Sequence, residues 1–321
     1  MITDQRTATV VSVSLGSSRR DHEVEVDLLD RHFHISRRGT DGNFKQALDL
    51  LKSLDGTVDA IGLGGVDIYL YSRRDRFALR DGLRLKNAVQ KTRVVDGSGL
   101  KNSLEREIIK LLARHHPEIP IQGRKVLMVS GMDRFGMAEA FVEAGAHMTY
   151  GDLIFALDRN QPIHSLDELA DWADRLLPEL CKMPIGFLYP IGKQQDAAPD
   201  EKYAAYYHDA DIIAGDYHFI RKYMPARLDG KVIVTNTVTP ADVEDLAARG
   251  VAWLVATTPD LKGRSFGTNV LEAAMLVLLD KDWDDATSDD YLNLIRRLDL
   301  RPRVEYLHQK FPSRLCLGEL E

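Results

Sequence analysis

The amino-acid sequence predicts an α/β protein, with an N-terminal mixed α/β domain followed by a doubly wound domain built on a parallel sheet. The first third of the chain is rich in strand-forming segments, and strands alternate with helices from residue 125 onward. Apolar residues make up 44% of the chain and charged residues 28%, which are ordinary globular proportions. The 321 residues are enough for two domains, because domains commonly have about 100–200 residues.

The first predicted domain covers residues 1–122. Its strands are expected where β-branched runs or alternating polar and apolar residues occur, and its helices where apolar residues share one helical face. The segments at 23–28 and 32–35 are expected to form a hairpin. The predicted strands are 9–15, 23–28, 32–35, 60–63 and 92–95, and the predicted helices are 43–54 and 100–115.

The second predicted domain covers residues 123–283, and a C-terminal helix and tail cover 284–321. Alternating strands and helices indicate a parallel sheet with helices on both faces. The predicted strands are 125–129, 146–150, 211–214, 231–235 and 251–256, and the predicted helices are 136–144, 165–177, 218–224, 240–249, 268–279 and 289–298.

Composition narrows the classes of partner. The net charge is −7 and no basic stripe is present, so we expect no nucleic-acid partner. Two cysteines, Cys181 and Cys316, cannot form a disulfide framework or a zinc site by themselves. The N-terminus has no apolar signal region and no apolar run is long enough to span a bilayer. We therefore expect a cytoplasmic protein without a membrane partner, which could form a homo-oligomer.

The sharpest local pattern is a strand–glycine–helix unit that begins at residue 125. Gly131 would form a tight turn, and the amides at the start of the next helix would approach a pyrophosphate. Asp152 lies about 20 residues after the first glycine, where an acidic residue accepts a bond from a ribose hydroxyl. Its charge favours NAD over NADP. The predicted cofactor-binding residues are Ser130, Gly131, Asp133, Arg134, Phe135, Gly136, Asp152, Asn236 and Thr257.

The turn has the spacing GxxxxG and lacks the middle glycine of GxGxxG, so a purely structural turn is the alternative. Substrate-binding residues are predicted where loops follow strands or precede helices, although ordinary capping and solvated loops would give the same pattern. These predicted residues are Ser14, Ser17, Ser98, Asn102 and Asn269.

Two residues are predicted to transfer protons. Lys101 is placed near a helix N-terminus, where neighbouring positive charge would lower its pKa and make it a general base; a surface lysine is the alternative. Asp216 follows a predicted strand and, with His218, could form an acid–base pair or half of a metal site. The nearest further histidine has no metal-ligand spacing, so we predict no metal.

Several motifs together resemble a bacterial family labelled quinate 5-dehydrogenase. They are the segments SVSLGSS at 12–18, VDGSGLKN at 95–102, DRFGMAEA at 133–140, DIIAGD at 211–216, VTNTVT at 234–239 and GRSFGTN at 263–269. The resemblance implies a mixed α/β substrate domain, a Rossmann domain and NAD(P)-dependent oxidation of quinate or a related hydroxy acid. The sequence has neither the NVTxPxK segment nor the GxGGxxxA turn of well-studied shikimate and quinate dehydrogenases, so Lys101 matches their lysine by chemistry only.

The sequence therefore predicts an enzyme, an NAD-dependent oxidoreductase acting on a small hydroxy or keto acid such as quinate or a shikimate-like compound. Lys101 or Asp216 would exchange the hydroxyl proton. Two alternatives stay open. One is a non-redox transferase, ligase or lyase that uses a nucleotide or phosphorylated metabolite on the same scaffold. The other is a ligand-binding regulatory protein without chemistry.

Overall fold

A computed structural model gives the fold of the chain. It describes residues 6–73, 75–188, 199–258, 260–261, 264–265 and 267–307. The predicted α/β fold class is confirmed, since parallel strands and covering helices occur in both halves of the chain. Cys316 lies outside the described residues.

The elements are numbered in chain order. The strands are β1 Ala8–Ser14, β2 Glu23–Leu28, β3 Arg31–Gly39, β4 Ala60–Gly64, β5 Tyr69–Tyr71, β6 Arg76–Ala78, β7 Arg93–Val95, β8 Lys125–Met128, β9 His147–Tyr150, β10 Ile212–Gly215, β11 Val232–Thr235, β12 Trp253–Ala256, β13 Asp260–Leu261, β14 Arg264–Ser265 and β15 Arg303–Tyr306. The helices are α1 Phe44–Leu54, α2 Arg80–Lys86, α3 Ser98–His115, α4 Phe135–Glu143, α5 Asp152–Phe155, α6 Leu166–Leu180, α7 Ile185–Leu188, α8 Ala204–Asp209, α9 Tyr217–Tyr223, α10 Pro240–Ala248, α11 Thr268–Leu279 and α12 Ser288–Arg297.

The first sheet has the strand order β2-β3-β1-β4-β7. Strands β3, β1, β4 and β7 are parallel, and β2 pairs with β3 in the antiparallel direction. The predicted hairpin is therefore confirmed. The first parallel strand, β1, lies between the second and third parallel strands, β3 and β4. The strand order therefore changes direction beside β1.

The second sheet has the order β15-β12-β11-β10-β8-β9. Its strands are parallel except for β15, which pairs with β12 in the antiparallel direction and is absent from the sequence-based prediction. Here the order changes direction between β8 and β10. This arrangement is the flavodoxin-like type of doubly wound sheet, in which ligands bind where the order reverses.

Each sheet is covered on both faces. One face of the first sheet packs on α11, and α3 and α12 pack on α11 and complete the same core, which includes Val10, Phe33 and Ile35. The opposite face packs on α1, and its core continues into the face of the second sheet that α4 and α6 cover. Strand residues alternate between these cores because successive side chains of a strand point to opposite faces.

The position of helix α11 disagrees with the domain division predicted from the sequence. That division places it with residues 123–283 in the second domain, but the helix packs against β1, β4 and β7 of the first sheet. Gly62 permits this approach, because a Cβ atom there would lie 2.7 Å from the carbonyl oxygen of Asn269. The apolar pattern of α11 indicates a buried helix but carries no information about which sheet buries it.

The close packing of α3 on α4 depends on Gly136. A Cβ atom at this position would lie 2.1 Å from the side-chain oxygen of Asn102 and 2.5 Å from its carbonyl oxygen. We expect Gly136→Ala to lower the free energy of unfolding by about 1–3 kcal/mol, because the two helices must separate. Urea unfolding measures this change.

Gly123→Ala is the matched control. Gly123 has a φ of +72°, and a methyl group added there would meet no atom within 4 Å, so only backbone strain would result. We expect this control to cost about 1 kcal/mol. A Gly136→Ala variant as stable as the natural protein would contradict the proposed helix contact.

Candidate functional site

The carboxyl ends of both parallel sheets open into one cleft. Its volume is about 670 Å³, within the usual range for small-molecule sites. The loops after β1 and β4 line it from the first sheet, and the loops after β8, β10 and β11 line it from the second. Both points at which the strand order reverses therefore face the same cavity, which makes the cleft the candidate site.

Lys101 lies where the two sheets meet. Its Nζ atom is 2.8 Å from Oδ1 of Asp133, which follows β8, and 3.4 Å from Oδ1 of Asp67, which follows β4. The residue is only 7% exposed, and the first turn of α3 holds it in place. One ammonium group thus bridges carboxylates from both domains at the wall of the cleft.

The predicted lowering of the Lys101 pKa is wrong. Burial does lower the pKa of this amine, but the charges of Asp133 and Asp67 outweigh burial and raise it above its ordinary value. The prediction failed because it assumed cations around the lysine, whereas carboxylates surround it. Lys101 is therefore an ammonium ion at neutral pH, suited to donate hydrogen bonds or stabilise an oxyanion rather than to act as a base.

A second ion-pair network continues from Asp133 along the floor of the cleft. Arg134 is 4% exposed; its guanidinium pairs with Glu105 and lies 3.4 Å from Oδ2 of Asp216. The amide of Asn236 donates to the same carboxylate oxygen at 2.8 Å. Burial raises the pKa of Asp216, but the charges of His218 and Arg134 lower it by more than burial raises it. The net shift is downward, so Asp216 is ionised at neutral pH.

His218 faces this network from the first turn of α9. Its Nε2 atom lies 3.0 Å from a guanidinium nitrogen of Arg20, which belongs to the loop after β1. Burial lowers the pKa of His218 most strongly, Asp216 opposes that effect and Arg20 adds to it, and the net shift is downward. The imidazole is therefore neutral at pH 7, accepts a hydrogen bond from Arg20 and connects the two domains across the cleft.

The glycine turn after β8 does not fit a dinucleotide in the predicted way. Asp152 is 7% exposed, and its carboxylate accepts hydrogen bonds from the amides of Gly131 at 3.0 Å and Met132 at 2.8 Å. These amides belong to the glycine turn that precedes α4, where the prediction places the pyrophosphate against the turn and the first amides of that helix. Burial raises the pKa of Asp152 to about 7, although the amide bonds oppose that rise. Asp152 thus closes its own turn instead of facing a ribose.

The other predicted cofactor residues divide between the cleft and the interior. Asp133, Arg134 and Asn236 line the cleft. Gly136 packs against α3, and the Ser130 hydroxyl oxygen accepts a bond from the amide of Asp216 at 3.4 Å. Thr257 is fully buried and Phe135 lines a smaller cavity of about 220 Å³. The predicted set is therefore not one cofactor site.

The predicted substrate residues are also divided. Ser14 and Asn269 line the cleft, and the amide of Asn269 donates to the hydroxyl oxygen of Ser12 at 2.9 Å. Ser17 caps the short 3-10 helix Ser18–Arg20. Ser98 and Asn102 line the smaller cavity, on the other side of Lys101. The cleft therefore contains two of these five residues.

The amides at the start of α3 are not a ligand site. Glu272 of α11 accepts bonds from the amides of Gly97 at 2.8 Å and Leu100 at 3.1 Å, and Asp96 accepts from the amide of Ser98 at 2.8 Å. No local pattern indicates this arrangement, because Glu272 is more than 170 residues away along the chain.

The predicted site residues leave out several polar residues of the cleft, among them Arg20, Arg37 and Asp67, and they include His218 only as a possible partner of Asp216. Asp67 had a usable signal, since it follows the Gly64–Gly65 pair at a strand end. Arg37 had none, because it lies within a strand. Across the described ranges, no group of three or more His, Cys, Asp or Glu residues could hold a metal ion. No helix in the part of the chain that the structure describes could cross a membrane.

The lowered pKa of His218 predicts a pH effect on stability. The folded protein binds this proton less readily than the unfolded chain, so stability falls as pH drops below about 6.5. We expect His218→Gln, which cannot be protonated, to reduce this fall in melting temperature between neutral and acidic pH. His32→Gln is the control, because exposed His32 has a raised pKa caused first by its bond to Asp27. An unchanged pH profile in His218→Gln would contradict a neutral, buried imidazole.

Solved structures that resemble the chain come from different functional classes. They include L-tryptophan dehydrogenase from Nostoc punctiforme, at 13% identity and a TM-score of 0.34 over 91% of this chain and 81% of that one. NAD-dependent malic enzyme from Thermotoga maritima is 13% identical to the chain, with a TM-score of 0.34 over 91% of this chain and 84% of that one. A periplasmic solute-binding protein from Actinobacillus succinogenes with bound D-allose is 9% identical, with a TM-score of 0.38 over 96% of this chain and 100% of that one. At these values we draw no functional conclusion from the likenesses.

Family models match both parts of the chain, whereas no curated protein matches it. Residues 9–96 match a domain of unknown function, DUF8753. Residues 99–307 match a second domain of unknown function, DUF8754, which spans α3, the second sheet and α11. Because this second match covers more than half of the sequence, the chain belongs to the DUF8754 family.

Proposed function

We propose that the protein is an enzyme that binds a small hydroxylated molecule in the interdomain cleft and acts on one of its carbon–oxygen groups. The observation that carries this proposal is the placement of Lys101, whose ammonium lies between Asp67 and Asp133 where the carboxyl ends of both sheets meet. A buried ammonium that lines a cleft can hold a hydroxyl or carbonyl oxygen and stabilise negative charge on it.

The neighbouring groups supply the complementary role of proton acceptor. His218 is neutral and lines the same cleft, so it can accept a proton near neutral pH. Asp216 caps the helix that carries His218, because its Oδ1 accepts the amide hydrogen of His218 at 2.9 Å. Asp216 therefore orients this helix turn, and its charge stabilises an imidazolium formed during the reaction.

Lys101→Arg tests the proposal while keeping the positive charge. The ligands for screening are quinate, shikimate, other small hydroxy acids and sugar phosphates, with binding measured by calorimetry. We expect Lys101→Arg to fold and to weaken binding of the best ligand about tenfold or more, because a guanidinium cannot keep both carboxylate contacts and the ligand contact in this space.

Lys110→Arg is the matched control, since Lys110 lies on the same helix but outside the cleft. Lys101→Met is not suitable as the main variant, because unpaired buried carboxylates would cost about 3–5 kcal/mol of stability. Equal ligand affinity in Lys101→Arg and Lys110→Arg would refute the role of Lys101.

A nicotinamide-dependent oxidoreductase is the second candidate and the more specific one. One support is the resemblance of six sequence segments to the quinate 5-dehydrogenase family. Another is the pairing of the Lys101 ammonium with Asp133, because shikimate and quinate dehydrogenases use a lysine and an aspartate beside the reacting hydroxyl. The closed turn at Gly131 argues against the predicted cofactor position. We therefore derive no hydride-transfer step from this geometry.

Titration with NAD, NADH, NADP and NADPH tests this candidate in the natural protein and in Asp152→Ala. We expect Asp152→Ala to lose stability rather than cofactor affinity, because each unpaired buried amide costs about 1–3 kcal/mol. Asp171→Ala, on the exposed face of α6, is the control. Nicotinamide binding that is lost only in Asp152→Ala would restore the turn as the cofactor site. Failure of all four dinucleotides to bind would remove the oxidoreductase candidate.

A further inference from the structure

Arg20 differs from the other lysine and arginine side chains that are buried or half-buried in the cleft, whereas Arg19, which also lines it, is exposed. Lys101 and Arg134 are each paired with two or more carboxylates. Within the described residues, by contrast, no carboxylate oxygen lies within 4.0 Å of the Arg20 guanidinium, whose polar side-chain contact is the neutral His218. Arg20 is half-buried and lines the cleft, so its charge faces the cavity without a counter-ion from the protein.

Arg37 and Ser14 extend this feature along the wall of the first sheet. The Arg37 guanidinium donates to Asp21 at 2.7 Å and to the hydroxyl oxygen of Ser14 at 2.9 Å. Ser14 Oγ also accepts the amide hydrogen of Gly16 at 3.0 Å. Both acceptor positions of this hydroxyl are therefore used, and no acceptor among the described residues takes its hydrogen. The O–H group is left to donate to a ligand.

The two arginines and the carboxylates that contact Lys101 come from different strands. Arg20 and Arg37 lie near each other, since the charge of Arg20 contributes, after burial, to lowering the pKa of Arg37. Arg20 follows β1, and Arg37 lies in β3, which neighbours β1. Of the carboxylates that contact Lys101, Asp67 follows β4, on the opposite side of β1 from β3, and Asp133 follows β8 of the second sheet. A ligand that matches both sets of residues has an acidic group that meets the arginines and hydroxyls that meet Lys101 and its carboxylates.

We propose that Arg20, Arg37 and Ser14 form an oxyanion subsite for a carboxylate or phosphate group of the molecule bound in the cleft. This inference rests on the proposed function and adds the charge class of its substrate. Guanidinium groups pair with both kinds of oxyanion through charge-assisted hydrogen bonds. The oxyanion replaces His218 as the acceptor for Arg20, and His218 is released to act on the hydroxylated part of the ligand.

Inorganic phosphate and acetate are the probes, because they carry the two oxyanions without the rest of the substrate. Binding is followed by titration calorimetry at low ionic strength with the full chain. We expect Arg20→Gln to weaken binding of the preferred probe about tenfold, the value of one lost charge-assisted hydrogen bond. Arg38→Gln is the matched control, because Arg38 neighbours Arg37 in β3, pairs with Glu23 at 3.7 Å and does not line the cleft.

The outcomes separate the two sources of the oxyanion. Phosphate binding that depends on Arg20 assigns a phosphorylated substrate, and acetate binding that depends on Arg20 assigns a carboxylic acid. Binding of neither probe, or equal binding by Arg20→Gln and Arg38→Gln, overturns the subsite. Arg20→Lys provides a further check: it keeps the charge but loses the planar fork, so it should restore part of the affinity.

Lys101→Arg distinguishes this inference from the proposed function. If Arg20→Gln loses the probe while Lys101→Arg keeps full affinity for the hydroxylated ligand, the subsite stands and the proposed role of Lys101 fails. If Lys101→Arg loses the hydroxylated ligand while Arg20→Gln keeps the probe and the ligand, the proposed function stands and the oxyanion subsite fails.

Discussion

The arrangement of the cleft depends on one buried ammonium group. Lys101 neutralises carboxylates that come from different sheets, Asp67 after β4 and Asp133 after β8. Without that charge the two carboxylates would repel each other in a poorly solvated space, and burial would favour their protonation. Since each carboxylate belongs to a loop where the strand order of its sheet reverses, the ion pair holds together the two loops that form the candidate site.

This constraint is possible because the two sheets share the same strand order beside their first strand. In each, the first parallel strand lies between the second and the third, so a crevice opens at its carboxyl end. The connection through α3 brings these crevices face to face, and α11 returns from the second sheet to pack on the first. The site is thus a product of both sheets, and neither sheet alone contains the ammonium together with both carboxylates.

Much of the local structure could be predicted from the sequence. Periodicity predicted the strands of both large sheets except β15, and also the hairpin of β2 and β3, because side-chain alternation is a local property. It also selected Lys101 and Asp216 as site residues, since both follow strand ends. It could not predict the sign of the Lys101 pKa shift, because Asp67 and Asp133 come from segments more than 30 residues away. The position of α11 was missed for the same reason.

Two places where a strand leads through a turn into a helix, a pattern that favours a bound anion, are filled by carboxylates of the chain itself. Asp152 binds the amides of Gly131 and Met132, and Glu272 binds the amides at the start of α3. A glycine turn or a helix N-terminus favours an anion whether the anion is a ligand or a side chain, so the local pattern does not distinguish the two cases. The distinction lies in what remains unpaired. Where internal carboxylates satisfy the backbone amides, binding capacity shifts to side chains that lack a counter-ion, and Arg20 is a half-buried side chain of this kind among the described residues that line the cleft.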